Sequence, residues 1–335
     1  MEYRQLGRTG LRVPPLCLGT MTFGLQCDEP TSFAILDRAF EGGIDFIDTA
    51  DVYPLGGDTT TAGRTEEIVG KWMRERANRD RIVLATKCAG RMGDGPNDTG
   101  LSRYHIQRAV EASLRRLGTD VIDLYQVHAF DPSTPIDETL RALDDLVRSG
   151  KVRYIGCSNY PAWRLGEALA TSERLGVGRY DSLQPRYNLL YRDIETELLP
   201  LARNEGLGVI VYNPLAGGFL SGKYAKGDEP EDNTRFTLGT AGRMYQHRYW
   251  QDAQFDAVGV LQDAVLAREL RMPTVAVSWV LGQPGITSAI IGASKPEQLD
   301  DTLRAPAIEL DAGLREACDA AWWSLPRRPV VEGYR

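Results

Sequence analysis

Eight short apolar runs, each followed by a segment of helical periodicity, predict a single (β/α)8 TIM barrel for this 335-residue chain. The runs are similar in length, and eight is the number of parallel strands that closes such a barrel. An open, doubly wound sheet is the competing architecture. No Gly-x-Gly-x-x-Gly turn follows the first run, as the nucleotide site of that fold requires.

The chain opens on a hairpin, Tyr3–Leu6 and Leu11–Val13, turned by GRTG. The barrel strands then read LCLGT, DFIDTA, RIVLATK, VIDLYQVH, VRYIGCSN, SLQPRYN, GVIVYNP and ITSAIIG. Between them, SFAILDRAFEGG sets Phe33, Leu36, Ala39 and Phe40 on one helical face. Ser102 is the expected N-cap of HIQRAVEASLRRLG, and Thr134 that of PIDETLRALDDLVRSG. Gly118, Gly150, Gly176 and Gly206 suit left-handed helix ends. Two long loops are expected, RMGDGPNDTG after the third barrel strand and an irregular stretch from about Gly222 to Phe255 after the seventh. No linker, repeat or low-complexity tract divides the chain, so residues 1–335 are expected to form one domain.

Composition narrows the partners. Hydrophobic residues make up 42% and charged residues 25%, ordinary values for a globular protein. A net charge of −7 speaks against nucleic acid or an anionic membrane as partner, since both call for a basic face. Five scattered cysteines without a C-x-x-C pair predict neither a disulfide framework nor a metal site. The N-terminus lacks the apolar core of a signal peptide, and no run is long enough to span a bilayer, so a cytoplasmic protein is expected.

In a closed barrel, function gathers where the strands end. Those ends carry Asp48, Lys87, His128, Ser158, Asn159, Gln184 and Tyr212, with Tyr53 just beyond the second strand. Singly, Asp48 would be a turn cap, Lys87 a solvated strand end, His128 a hydrogen-bonded core histidine and Tyr53 packing. Together on neighbouring strands they make a joint accident improbable. A phenol titrates near 10 and is a poor acid at neutral pH. A lysine ammonium beside it favours the phenolate, and a carboxylate holds the lysine in place. With a histidine to hydrogen-bond the substrate oxygen, such a group protonates an oxygen that is gaining electron density, which is the chemistry of carbonyl reduction.

These motifs resemble the aldo-keto reductases, nicotinamide-dependent enzymes on a (β/α)8 barrel, over nearly the whole chain. LGRTGLRVPPLCLGTMTFG is similar to their opening hairpin and first strand. DTADVY, LATK and YQVH carry the positions of the family's catalytic Asp, Tyr, Lys and His, here Asp48, Tyr53, Lys87 and His128. GCSN and LQPRYNLL resemble the clamp on the nicotinamide carboxamide, which implies Ser158, Asn159 and Gln184. VYNPLAGGFLSGKY resembles the stretch with a stacking aromatic and a phosphate-contacting loop, implying Tyr212, Asn213, Pro214, Leu215, Gly217 and Lys223. IIGASKPEQLDDTL resembles the grip on the adenosine 2′-phosphate, implying Gly292, Ser294, Lys295, Gln298, Asp301 and Thr302, with Arg235 as a further contact. Thr302 stands where the family commonly has Asn, and Asn213 where it commonly has Ser. Lys295 favours NADPH over NADH, and no metal is implied.

The resemblance implies reduction of an aldehyde or ketone to an alcohol with Tyr53 as general acid. Two alternatives stand beside it: a dedicated sugar or sugar-nucleotide reductase, with the seventh-strand loop as specificity element, and a non-catalytic nicotinamide-sensing subunit like the potassium-channel β-subunits. Phe23, Trp322, Tyr245, Tyr249 and Trp250 are candidate walls of the substrate pocket. Gly217, Gly222 and Lys223 match P-loop spacing, but Tyr224 stands where that motif needs Ser or Thr. His105 and His247 show no ligand spacing, and Cys157 has no local histidine to activate it.

Overall fold

In the computed structural model the described residues run from 1 to 326, so the last residues of the expected 1–335 domain lie outside them. A short antiparallel pair, β1 (Arg4–Gln5) and β2 (Arg12–Val13), precedes the barrel. The barrel strands are β3 (Leu16–Gly19), β4 (Phe46–Asp48), β5 (Val83–Cys88), β6 (Ile122–Val127), β7 (Val152–Ser158), β8 (Ser182–Gln184), β9 (Gly208–Tyr212) and β10 (Ile286–Ile291). They pair in parallel in chain order and close with β10 against β3. Every apolar run expected to be a strand is one.

The outer ring consists of α1 (Glu29–Glu41), α2 (Arg64–Arg76), α3 (Arg103–Leu117), α4 (Ile136–Arg148), α5 (Ala162–Leu175), α6 (Leu198–Asn204), α7 (Gly239–Tyr249), α8 (Asp252–Leu266), α9 (Met272–Leu281), α10 (Leu299–Leu303) and α11 (Ala312–Trp323). Ser102 caps α3 as expected, accepting from the His105 amide at 3.2 Å. Thr134 does not cap α4. Pro135 occupies that position, and the Thr134 hydroxyl instead donates to Asp131 at 2.7 Å, because Asp131 gathers the whole turn around its carboxylate. The stretch expected to be irregular after β9 holds α7 and the start of α8. Its aromatics, which read as loop composition, pack on one another: Phe219, Tyr224, Phe236, Trp250 and Phe255 form one cluster, edge to face except for the stacked Phe219–Tyr224 pair.

Two cores result. The larger fills the space between strands and helices. The smaller lies inside the barrel and consists of Leu6, Val13, Cys17, Phe46, Ala85, Leu124, Ile210 and Ile290. Leu6 and Val13 come from the hairpin, which therefore plugs the bottom of the barrel. Gly7 makes this fit possible: at φ +58°, a Cβ there would stand 2.5 Å from the Gly206 carbonyl oxygen. The strand period of two then decides what comes next, because inward positions recur at every second residue. Two residues beyond Phe46, Ala85, Leu124 and Ile210 stand Asp48, Lys87, Gln126 and Tyr212. The barrel interior changes from apolar to polar in one layer.

Candidate active site

Lys87 is fully buried and Asp48 is 3% exposed, and the two form an ion pair inside the barrel. A buried charge survives only when its partners are complete. Lys87 Nζ also donates to the Thr49 carbonyl at 2.9 Å. Asp48 Oδ1 accepts from Gln126 Nε2 at 3.1 Å and Gln184 Nε2 at 2.8 Å, and the Gln184 amide also donates to Gln126 Oε1 at 3.1 Å. Four strands thus converge on one charge pair. Gln126 was not among the expected site residues. The sequence did carry its signal, since VIDLYQVH puts Gln126 on the same face as His128.

Tyr53 and His128 stand above this layer, rings edge to face at 5.7 Å. Lys87 Nζ lies 5.1 Å from the centre of the Tyr53 ring. Burial, and then the Lys87 charge, push the His128 imidazole down to about 3. His128 is therefore neutral at physiological pH. Its carbonyl accepts from Asn159 Nδ2 at 2.8 Å. Asn159, in left-handed conformation at φ 57°, takes the Tyr212 hydroxyl on Oδ1 at 2.8 Å. Ser158 donates to the Gln184 carbonyl at 2.7 Å. All eight polar strand-end residues singled out from the sequence meet at one mouth.

Beyond Tyr212 the chain turns through Asn213, also left-handed at φ 66°, whose side chain accepts from the Gly217 amide and donates to the Tyr249 hydroxyl. Pro214 and Leu215 lead into that turn, and Lys223 pairs with Glu231 at 3.4 Å. Arg235 comes to the β10 exit: a Cβ on Gly292 would stand 3.8 Å from its guanidinium, so the glycine leaves a cradle in front of it. The Ser294 amide and hydroxyl both donate to Gln298 Oε1, at 2.8 and 3.3 Å, beside exposed Lys295. Guanidinium, ammonium, hydroxyl and amide around a glycine form a donor set suited to a phosphate. Asp301 and Thr302 do not join it. The Asp301 carboxylate lies 3.6 Å from Arg271, and Thr302 is buried with its hydroxyl on the Leu299 carbonyl.

The aromatics expected as pocket walls are mostly packed into the protein. Phe23 has no exposed surface, Tyr245 and Tyr249 are buried, and Trp250 and Trp322 pack against the outer core. Behind Tyr53, Asp51 is wholly buried and neither carboxylate oxygen has a hydrogen-bond partner among the described residues. Burial, then the neighbouring Glu66, hold its carboxyl well above the usual range. Glu66 itself is ion-paired to Arg116 at 2.7 Å and accepts from Thr86 at 2.6 Å.

Barrel, buried lysine–carboxylate pair, tyrosine and neutral histidine together are the arrangement of a barrel oxidoreductase. The model of the Aldo/keto reductase family matches residues 15–322, and the chain belongs to that family. With membership goes carbonyl reduction with a nicotinamide cofactor. An uncharacterized oxidoreductase, YrpG, of Bacillus subtilis is 46% identical over 93% of both chains. A probable voltage-gated potassium channel subunit beta of rice is 36% identical over 100% of both. L-glyceraldehyde 3-phosphate reductase of Escherichia coli O157:H7 is 35% identical over 91% of this chain and 87% of its own. No described helix is long and apolar enough to cross a membrane.

Proposed function

We propose that the chain is an NADPH-dependent reductase of aldehydes and ketones that works as a single cytoplasmic domain, with Tyr53 as the proton donor. The observation that carries this reading is the sealed Lys87–Asp48 pair with Lys87 Nζ 5.1 Å from the Tyr53 ring. Ser158, Asn159 and Gln184 would hold the carboxamide, since their hydroxyl and amides offer both donors and acceptors. Tyr212 would stack on the nicotinamide. Asn213, Pro214, Leu215, Gly217 and Lys223 would line the phosphates, and Arg235, Gly292, Ser294, Lys295 and Gln298 the 2′-phosphate end. When bound, the cofactor supplies hydride to the carbonyl carbon.

The remaining chemistry belongs to the chain. Lys87 stabilises the phenolate that Tyr53 leaves after giving its proton to the substrate oxygen. Asp48, held by Gln126 and Gln184, keeps Lys87 from moving toward solvent. His128, neutral, orients the carbonyl without competing for that proton. Tyr53→Phe is expected to lower turnover by two orders of magnitude or more, in line with about 10²–10⁴-fold for general acid catalysis, while NADPH binds as in wild type. Wild-type turnover in that variant would refute the assignment.

The second reading, a nicotinamide-sensing binding subunit, draws on the rice relative, which spans this chain from end to end. Steady-state oxidation of NADPH with a panel of aldehydes, ketones and sugars separates the readings. Tight NADPH binding without turnover on any of them would favour the sensor.

A further inference from the structure

LQPRYN ends β8 on Gln184 and places Arg186 two residues later, on the strand face that Gln184 shares. Arg186 forms an isolated parallel bridge with Tyr212. The Tyr212 amide donates to the Pro185 carbonyl at 3.0 Å and the Tyr187 amide to the Tyr212 carbonyl at 3.2 Å, so the two residues are fixed side by side. The guanidinium carbon lies 3.5 Å from the centre of the Tyr191 ring, whose side chain also hydrogen-bonds it, and the phenols of Tyr249 and Tyr212 act on its charge as well. Among the described residues no carboxylate pairs with it. Arg192, six positions later, shows the ordinary arrangement, with Glu195 at 2.8 Å and Asp319 at 2.5 Å.

An arginine stays charged in proteins, and a largely enclosed charge without a counter-ion is costly. Such a group is tolerated where a ligand completes it. The fork of a guanidinium matches phosphate oxygens in two-point fashion.

We infer that Arg186 is the seat of a phosphate group held at the edge of the Tyr212 ring. Two sources carry that chemistry: the nicotinamide-side phosphate of the cofactor, or a phosphate on the carbonyl substrate. This inference rests on the reductase reading only where nicotinamide or turnover is measured.

The first measurement avoids that dependence. Titration of the full chain with inorganic pyrophosphate should show binding that Arg186→Met weakens at least about tenfold, the scale of a charge-assisted hydrogen-bond pair, with Arg186→Lys in between. Equal pyrophosphate affinity in wild type and Arg186→Met overturns the inference, whatever the turnover. If Arg186→Met does not fold, phenylglyoxal labelling of the wild type decides: pyrophosphate should protect Arg186, and labelling that pyrophosphate does not slow overturns the inference. The source follows from two further titrations. Weakened nicotinamide mononucleotide with unchanged adenosine 2′,5′-bisphosphate assigns the phosphate to the cofactor. A tenfold higher KM for glyceraldehyde 3-phosphate, with glyceraldehyde and nicotinamide mononucleotide unchanged, assigns it to the substrate. Loss of nicotinamide binding in the wild type would refute the reductase reading and leave the pyrophosphate result standing.

Discussion

Replacing Lys87 by methionine removes the cation but leaves Asp48 where it is, sealed inside the barrel. Asp48 Oδ1 keeps its bonds from Gln126 and Gln184, whereas Oδ2 loses its ammonium partner and the Thr49 carbonyl loses a donor. With Lys87 fully buried and Asp48 3% exposed, water cannot take the place of either contact. Removing one member of a buried pair costs about 3–5 kcal/mol, mostly the penalty of the charge left behind. At about 2.1 cal/mol/K per residue of unfolding entropy, that lowers the Tm of a chain this size by roughly 4–7 °C. Asp48→Asn/Lys87→Met should recover most of the loss, because an uncharged amide at position 48 still accepts from both glutamines. The assay is a double-mutant cycle by thermal unfolding at constant pH, with a coupling of about 3 kcal/mol expected between the two sites. Additive effects within about 0.5 kcal/mol would refute the reasoning, since they would mean that Asp48 is solvated or mobile rather than held by Lys87.

Two further outcomes are expected. Asp51 holds its proton in the fold, where burial and Glu66 raise it, and gives it up in the unfolded chain above about 4. Its contribution to stability is thus lost as pH rises from there toward the raised value, and Asp51→Asn should flatten that slope; an unchanged slope in denaturant titrations from pH 5 to 8 would refute the assignment. A methyl on Gly90 would overlap Val52 Cγ1, next to Tyr53, so Gly90→Ala should lower kcat several-fold and Gly90→Ala/Val52→Ala should restore it; equal rates in all three proteins would show that the Tyr53 turn absorbs the methyl.

Much of this site could be read before any coordinates. Asp48, Lys87 and His128 each end an apolar strand, and a polar residue in that position is visible as a break in pattern. Tyr53 was visible through its motif. The order and pairing of the eight strands followed from their alternation with helices, because short connections of this kind admit few other topologies. The stretch after β9 was misread for a physical reason. Its Gly, Pro and Asn residues signal loop locally, while the burial that makes α7 and α8 stable comes from aromatics meeting across some thirty residues (Phe219 with Trp250 and Phe255). Thr134 likewise had the right side chain for a cap, and lost the role to a carboxylate that its own turn brings within reach.

The amino-acid sequence by itself determined the barrel, its opening hairpin and the residue types at its mouth, since each depends on local periodicity or on one strand's end. Tertiary structure alone decided which of those residues share a charge. Gln126 and Gln184 complete Asp48 from strands 78 and 136 residues away from it in the chain. Arg186 is left among phenols, while Thr302 is buried away from the cradle of Arg235 and Gly292. Burial and partnership are properties of the closed barrel, where electrostatic energy depends on distance through space and on exclusion of water, and neither quantity is written along the chain.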